Sequence, residues 1–200
     1  MIDMNRVRIE LNYGLWKIGF LGAKFKELLF RLVHGKLYVN QILANFADVR
    51  PHCTMCVIKE KREMKILHIE EDSVVWRDRL NRLSHESVFH LFWDCVCVRT
   101  LIDSVGNWLA GTEGRTFIRS MFFGGMDDIS TQNMRMCILI VHYIKYIIFE
   151  CKIRNRIPTI THVRYEMGTL FSCIGNREDW REQREDVPEL VYRMMEDVVP

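Results

Sequence analysis

Two short cysteine-bearing motifs constrain this sequence more than any other feature. Cys53-Thr-Met-Cys56 sets two thiols three positions apart just after Pro51, and His90-Leu-Phe-Trp-Asp-Cys95 sets an imidazole and a thiol five apart. Zinc prefers four tetrahedral ligands drawn from thiolate and imidazole, and a C-x-x-C turn supplies two thiolates from one tight loop with little strain. Cys53 and Cys56 are therefore half of a metal site. His90 with Cys95 is the nearby pair that adds both a nitrogen and a sulfur at short separation. His52, His85 and Cys97 compete for the same roles, because each lies within a few residues of one pair or the other. A redox reading of C-x-x-C requires a thioredoxin-like βαβ context, which the residue pattern does not supply.

The remaining cysteines, Cys137, Cys151 and Cys173, fall on apolar helical stretches and read as core residues. Seven cysteines, an odd number, point to reduced thiols or metal ligands and away from a disulfide framework. The first ten residues mix Asp3, Arg6, Arg8 and Glu10 among their apolar positions, unlike the continuous apolar core of a secretory signal. The expected place is the nucleus or cytoplasm, without secretion.

Hydrophobic periodicity predicts a mostly α fold: a multi-helix domain carrying a small structural zinc loop. Phe25, Leu28, Leu29, Leu32 and Val33 fall at helical spacing, with Lys24, Lys26, Glu27 and Arg31 on the other sides. Gly35 is a natural stop, and Asn40 is placed to cap a second short helix running to about Asn45. A third helix is expected between Asp72 and Ser84, with Trp76 near its face. After His90 a helix runs through Val98, Leu101, Ile102, Val105 and Leu109 to Gly111. The longest element, roughly Ser130 to Arg156, is apolar nearly all round in its middle and should be a central core helix. Its run from Met136 to Phe149 falls well short of the roughly 20 residues of a membrane span and contains His142 and Lys145. Pro158 ends it, Thr159 can cap a further helix toward Cys173, and a last helix is expected within 177–197.

With 48% hydrophobic and 27% charged residues, 200 positions can bury one ordinary core. We divide the chain into a basic helical and zinc-binding segment, 1–110, and a C-terminal helical segment, 111–200, packing on it as a single globular unit. Net charge is only +2, so any electrostatic argument for a polyanionic ligand rests on local distribution. Residues 1–36 carry seven basic against three acidic side chains, whereas 177–197 carry four basic against eight acidic.

At the motifs themselves the chain resembles the zinc-bearing C-terminal region of LINE-type (non-LTR) retrotransposon reverse transcriptases. The similarity rests on Phe30-Arg-Leu-Val-His34 followed by Asn40-Gln-Ile-Leu, then Cys53-Thr-Met-Cys56, then Glu86-Ser-Val-Phe-His90-Leu-Phe-Trp-Asp-Cys95. Phe122 to Gly125, the long apolar helix and Cys151-Lys-Ile-Arg154 before Pro158 are similar as well, so the likeness spans roughly 15–170. It covers neither the polymerase nor the endonuclease domain. The resemblance implies Cys53, Cys56, His90 and Cys95 as zinc ligands. In the family the histidine follows the second cysteine after about ten residues. Here 33 residues intervene, so 57–85 looks like an insertion, and His85 and even His68 compete with His90.

The function implied is a non-catalytic zinc module that binds nucleic acid, RNA in particular. Lys24, Lys26, Arg31, Lys36, Lys59, Lys61 and Arg62, joined by Lys152, Arg154 and Arg156, are the expected phosphate contacts, and Trp93 or Trp16 the stacking face. The alternative is a protein-interaction or regulatory role with zinc purely structural, using the C-terminal helix with Leu190, Val191, Met194 and Met195. No Ser/His/Asp order, phosphate loop or H-E-x-x-H favours an enzyme. Gly124-Gly-Met-Asp-Asp128 lies in an expected loop, where Asp127 and Asp128 more naturally favour the start of the next helix.

Overall fold

The computed structural model describes residues 21–110 and 134–175. Trp16, the Gly-rich stretch with Asp127 and Asp128, and the acidic segment 177–197 lie outside the described residues. Those described are mostly helical, with α1 Ala23–Val33, α2 Asn40–Leu43, α3 Thr54–Ile66, α4 Val74–Asn81, a π-helical turn His90–Asp94, α5 Val96–Ala110, α6 Met134–Ile153 and α7 Ile160–Gly175. No strand forms among them, only an isolated antiparallel bridge between His52 and His85. None of their helices is long and apolar enough to cross a membrane.

Two compact units share the chain. Among the described residues, the first comprises 21–36, 102–110, 134–146 and 159–175. In α1, Phe25, Leu28 and Leu29 are almost fully buried, and the Phe25 ring meets Tyr143 and Tyr146 of α6 at 5.8 Å between centroids. α1 closes as its sequence predicts. Gly35 adopts φ 63°, a left-handed conformation that costs glycine nothing, while Lys36 N–H reaches back to the Arg31 carbonyl. α7 begins where Thr159 is placed to cap it, its hydroxyl accepting from His162 N–H at 3.2 Å. Cys173, expected in the core, is exposed near the end of α7, whereas Cys151 is buried.

The second unit comprises Leu37–Leu101 and Ile147–Pro158. Its least expected part is 57–85, which forms an αα-hairpin. α3 and α4 pack Met64 against Trp76 and Leu80, with Val57, Ile69 and Leu83 at the margin. Ser73 caps α4 by accepting from Trp76 N–H at 3.1 Å. At the open end, Cys53 N–H donates to the Ser84 carbonyl at 3.0 Å beside the His52–His85 bridge. The long separation between the two ligand pairs is thus taken up by a self-packed excursion whose ends return to the same place.

Candidate metal centre

The C-x-x-C spacing predicts a tight loop, but the pair sits at the start of a helix. Cys53 is the N-cap residue of α3 and Cys56 lies within its first turn. Residues three apart share a helix face, so both sulfurs emerge on one side. The unsatisfied N–H groups and positive dipole end of a helix also favour anionic sulfur.

His90 and Cys95 are brought together by a different device. In a regular α-helix, five positions would set them about 140° apart around the axis. The chain instead forms a π-helical turn, closed by Cys95 N–H to the His90 carbonyl at 2.8 Å, and leaves it with Cys95 extended at ψ 121°. Single π turns of this kind recur at functional sites. The Ser87 hydroxyl accepts from His90 N–H at 2.9 Å and steadies the start of the turn. Leu91, Phe92 and Trp93 pack inward, so Trp93 is not free to stack on a ligand at the surface.

The four ligand atoms lie within 4.8 Å of one another, close enough to hold one metal ion. Cys95 Sγ is 3.7 Å from Cys53 Sγ and 3.6 Å from Cys56 Sγ, and His90 Nε2 is 3.5 Å from Cys56 Sγ. The three cysteines are buried and none forms a disulfide. Their crowding displaces the protonation equilibria. His90 is pushed up to about 10, first by hydrogen bonding to the Cys53 sulfur, then to Cys56, with burial opposing. Cys56 is held down to about 6, chiefly by Cys53, and next by Cys95. Cys95 is driven far above the usual thiol range, first by Cys53 and then by Cys56. His90 and Cys95 hold their protons because a Cys56 thiolate packed this close needs a neighbouring positive charge or proton, the balance that a divalent cation would otherwise supply.

No family model, curated protein or solved structure matches this chain. Its chemistry therefore has to be read from the site.

Around the four atoms stands a polar framework that sequence reasoning did not single out. Glu86 is completely buried. Its Oε1 accepts from Asn40 N–H at 3.0 Å and its Oε2 from Thr54 N–H at 3.1 Å, so one carboxylate satisfies the first residues of both α2 and α3. Lys152 Nζ pairs with Glu86 Oε1 at 2.9 Å and also donates to the Tyr38 carbonyl at 3.1 Å. Glu86 N–H donates to the Pro51 carbonyl at 2.7 Å, and Gln41 N–H to the Glu86 carbonyl at 3.2 Å. Asn40 is not the cap of α2. It is the first helical residue, and its Nδ2 donates to the His52 carbonyl at 2.8 Å and to Thr54 Oγ1 at 3.0 Å. The signal available in the sequence was a charged residue inside each motif, Glu86 four positions before His90 and Lys152 beside Cys151.

Of the competing ligands, His52 and His85 face each other edge-on at 5.4 Å at the hairpin base, and Cys97 turns its thiol toward the Met55 carbonyl at 3.5 Å. His68, exposed, stands beyond the far end of α3. The expected phosphate contacts divide. Lys24, Lys26, Arg31 and Lys36 belong to the first unit, and Lys59, Lys61 and Arg62 to the second. Arg31 pairs with Glu27, Lys59 with Glu63 at 3.7 Å and Arg154 with Glu150 at 3.0 Å. Lys152 is withdrawn from that set: it is buried on Glu86, because a carboxylate sealed from water requires a counter-charge.

Proposed function

We propose that this chain is a non-catalytic nucleic-acid-binding module, RNA being its favoured ligand, organised by one structural zinc ion and derived from the C-terminal region of a LINE-type reverse transcriptase. The observation that carries the reading is the convergence of Cys53, Cys56, His90 and Cys95. A tetrahedral zinc ion with bonds of roughly 2.3 Å to sulfur and 2.0 to 2.1 Å to nitrogen sets its sulfurs about 3.8 Å apart, and sulfur and nitrogen about 3.5 Å apart. The sulfur–sulfur separations of 3.7 and 3.6 Å and the sulfur–nitrogen separation of 3.5 Å agree with that tetrahedron.

Zinc in such a site supplies folding energy and fixed helix angles. Four protein ligands leave no open position for substrate, which favours a structural over a catalytic role. The derivation is supported by the way pieces of the resemblance meet: Asn40, Cys53 to Cys56, Glu86 to Cys95 and Lys152 all join within the second unit. Exposed cations on α1 and α3 support a phosphate-rich ligand, and reduced thiols a setting in the nucleus or cytoplasm.

A protein-interaction role is the second reading. Ile66, Leu67, Val74 and Val75, all more than half exposed around the tip of the hairpin, favour it.

One preparation tests the proposal. Elemental analysis should find one zinc per chain, lost in Cys53→Ser, and anisotropy with a labelled stem–loop RNA should show affinity falling steeply with salt. A stable metal-free protein sinks the zinc reading. Absent or salt-indifferent RNA binding sinks the ligand reading.

A further inference from the structure

The hairpin between the two ligand pairs has two sides of different charge. α3 and α4 turn Val57, Met64, Trp76 and Leu80 toward their shared core. At about 100° per residue, Glu60 and Glu63 then fall on one flank of α3. Arg79 of α4 lies on that same flank, where it pairs with both carboxylates. The opposite flank carries Lys61 and Lys65 on α3 and Arg77 on α4, turned about 50°, 90° and 80° from the core direction. Neither helix places a carboxylate there, since Asp78 points about 180° from the core.

Lys61, Lys65 and Arg77 are all exposed. Lys65 reaches Glu71 of the connection at 3.7 Å, with both side chains about two-thirds exposed, a contact that a stronger anion displaces. Lys61 and Lys65 are four residues apart, about 6 Å along the axis, so the flank is a short row of cations. Its direction is set at the base, where Cys53 is tied to Ser84 and His52 to His85 beside the metal ligands.

We propose that this flank of the α3–α4 hairpin is a phosphate-contacting surface whose ligand is the RNA backbone. The inference rests on the nucleic-acid reading above and adds the element that makes the contact. A bilayer is disfavoured by the tip itself. Exposed Ile66, Leu67, Val74 and Val75 share it with Glu70, Glu71 and Asp72, and anionic lipid would repel those carboxylates as the tip inserted. A strand lying along the flank meets Lys61 and Arg77 directly and competes with Glu71 alone for Lys65.

The test uses three forms of the full metal-loaded chain: unaltered, Lys61→Gln/Lys65→Gln/Arg77→Gln, and Arg50→Gln/Arg82→Gln/Arg99→Gln, which removes equal charge from exposed positions elsewhere in the same unit. Each is titrated with a labelled stem–loop RNA bearing single-stranded flanks across a salt series, with circular dichroism and metal content confirming the fold. The first variant should lose about tenfold or more in affinity and about 2 units of log–log salt slope, while the second stays within about threefold of the parent. If the parent binds RNA but the first variant is unchanged, or both variants lose equally, the proposal is overturned and the nucleic-acid reading stands. A parent chain that binds no RNA overturns both. Capture by phosphatidylcholine/phosphatidylserine vesicles without RNA binding also overturns both and reassigns the flank to a membrane.

Discussion

Glu86 shows how much one side chain can organise. Its carboxylate holds the starts of two helices and the Lys152 ammonium in a place closed to water. Removing one partner of a buried ion pair leaves the other charge uncompensated, which typically costs about 3–5 kcal/mol. Lys152→Met should therefore destabilise the protein by about that amount in urea unfolding; a loss near the roughly 0–1 kcal/mol of a surface pair would show that water reaches Glu86. His90 offers a second residue-level test. Its pKa is raised from 6.5 to about 10 in the metal-free fold, led by the Cys53 sulfur. That contribution is fully present below the unfolded value and fades as pH rises through about 10. In the metal-free protein the His90 ring resonances should titrate near 10, and metal loading should abolish the transition with release of a proton. A midpoint near 6.5 would mean the sulfurs do not surround the ring. Thiol and imidazole chemistry is legible in a residue name. Which of His52, His85 and His90 faces the sulfurs is not, because that depends on the backbone between them.

Among the elements, helices announced by apolar spacing formed where expected. α1 follows from Phe25, Leu28 and Leu29, and α7 from its Thr159 cap. The misread elements are those whose ends are completed from a distance. Asn40 looks like a cap by type, yet Glu86, 46 residues away, caps that N–H group and frees the Asn40 amide for His52 and Thr54. His90 to Asp94 continues an α pattern in sequence but winds as a π turn, which apolar periodicity cannot distinguish over five residues. α4 is the counter-example, an element stabilised by its own neighbours. Ser73→Ala removes only the hydroxyl that accepts from Trp76 N–H. We expect it to cost about 1 kcal/mol, read as faster amide exchange within α4, and Ser73→Asp to restore protection. Unchanged exchange in Ser73→Ala would show that packing of Trp76 and Leu80 alone holds the helix start.

For the molecule as a whole, the metal centre and the Glu86 framework belong to one unit assembled from two distant stretches, Leu37–Leu101 and Ile147–Pro158. Stripping the metal with a chelator should therefore lower amide protection across His85–Cys95 and the first turn of α3, because the crowded sulfurs lose the charge that balances them. Protection that survives complete metal loss would assign the site's stability to the Glu86–Lys152 framework. By itself the sequence determined the helical class, the two Cys/His-bearing pairs and the long separation between them. Those are local matters of spacing and donor chemistry. Only the tertiary structure decided that the stretch between the pairs closes on itself as a hairpin, that His90 Nε2 lies with the three sulfurs, and that Lys152 neutralises Glu86. Each of those depends on which distant groups share a volume closed to water, and burial fixes a side chain's partner only after the chain has folded.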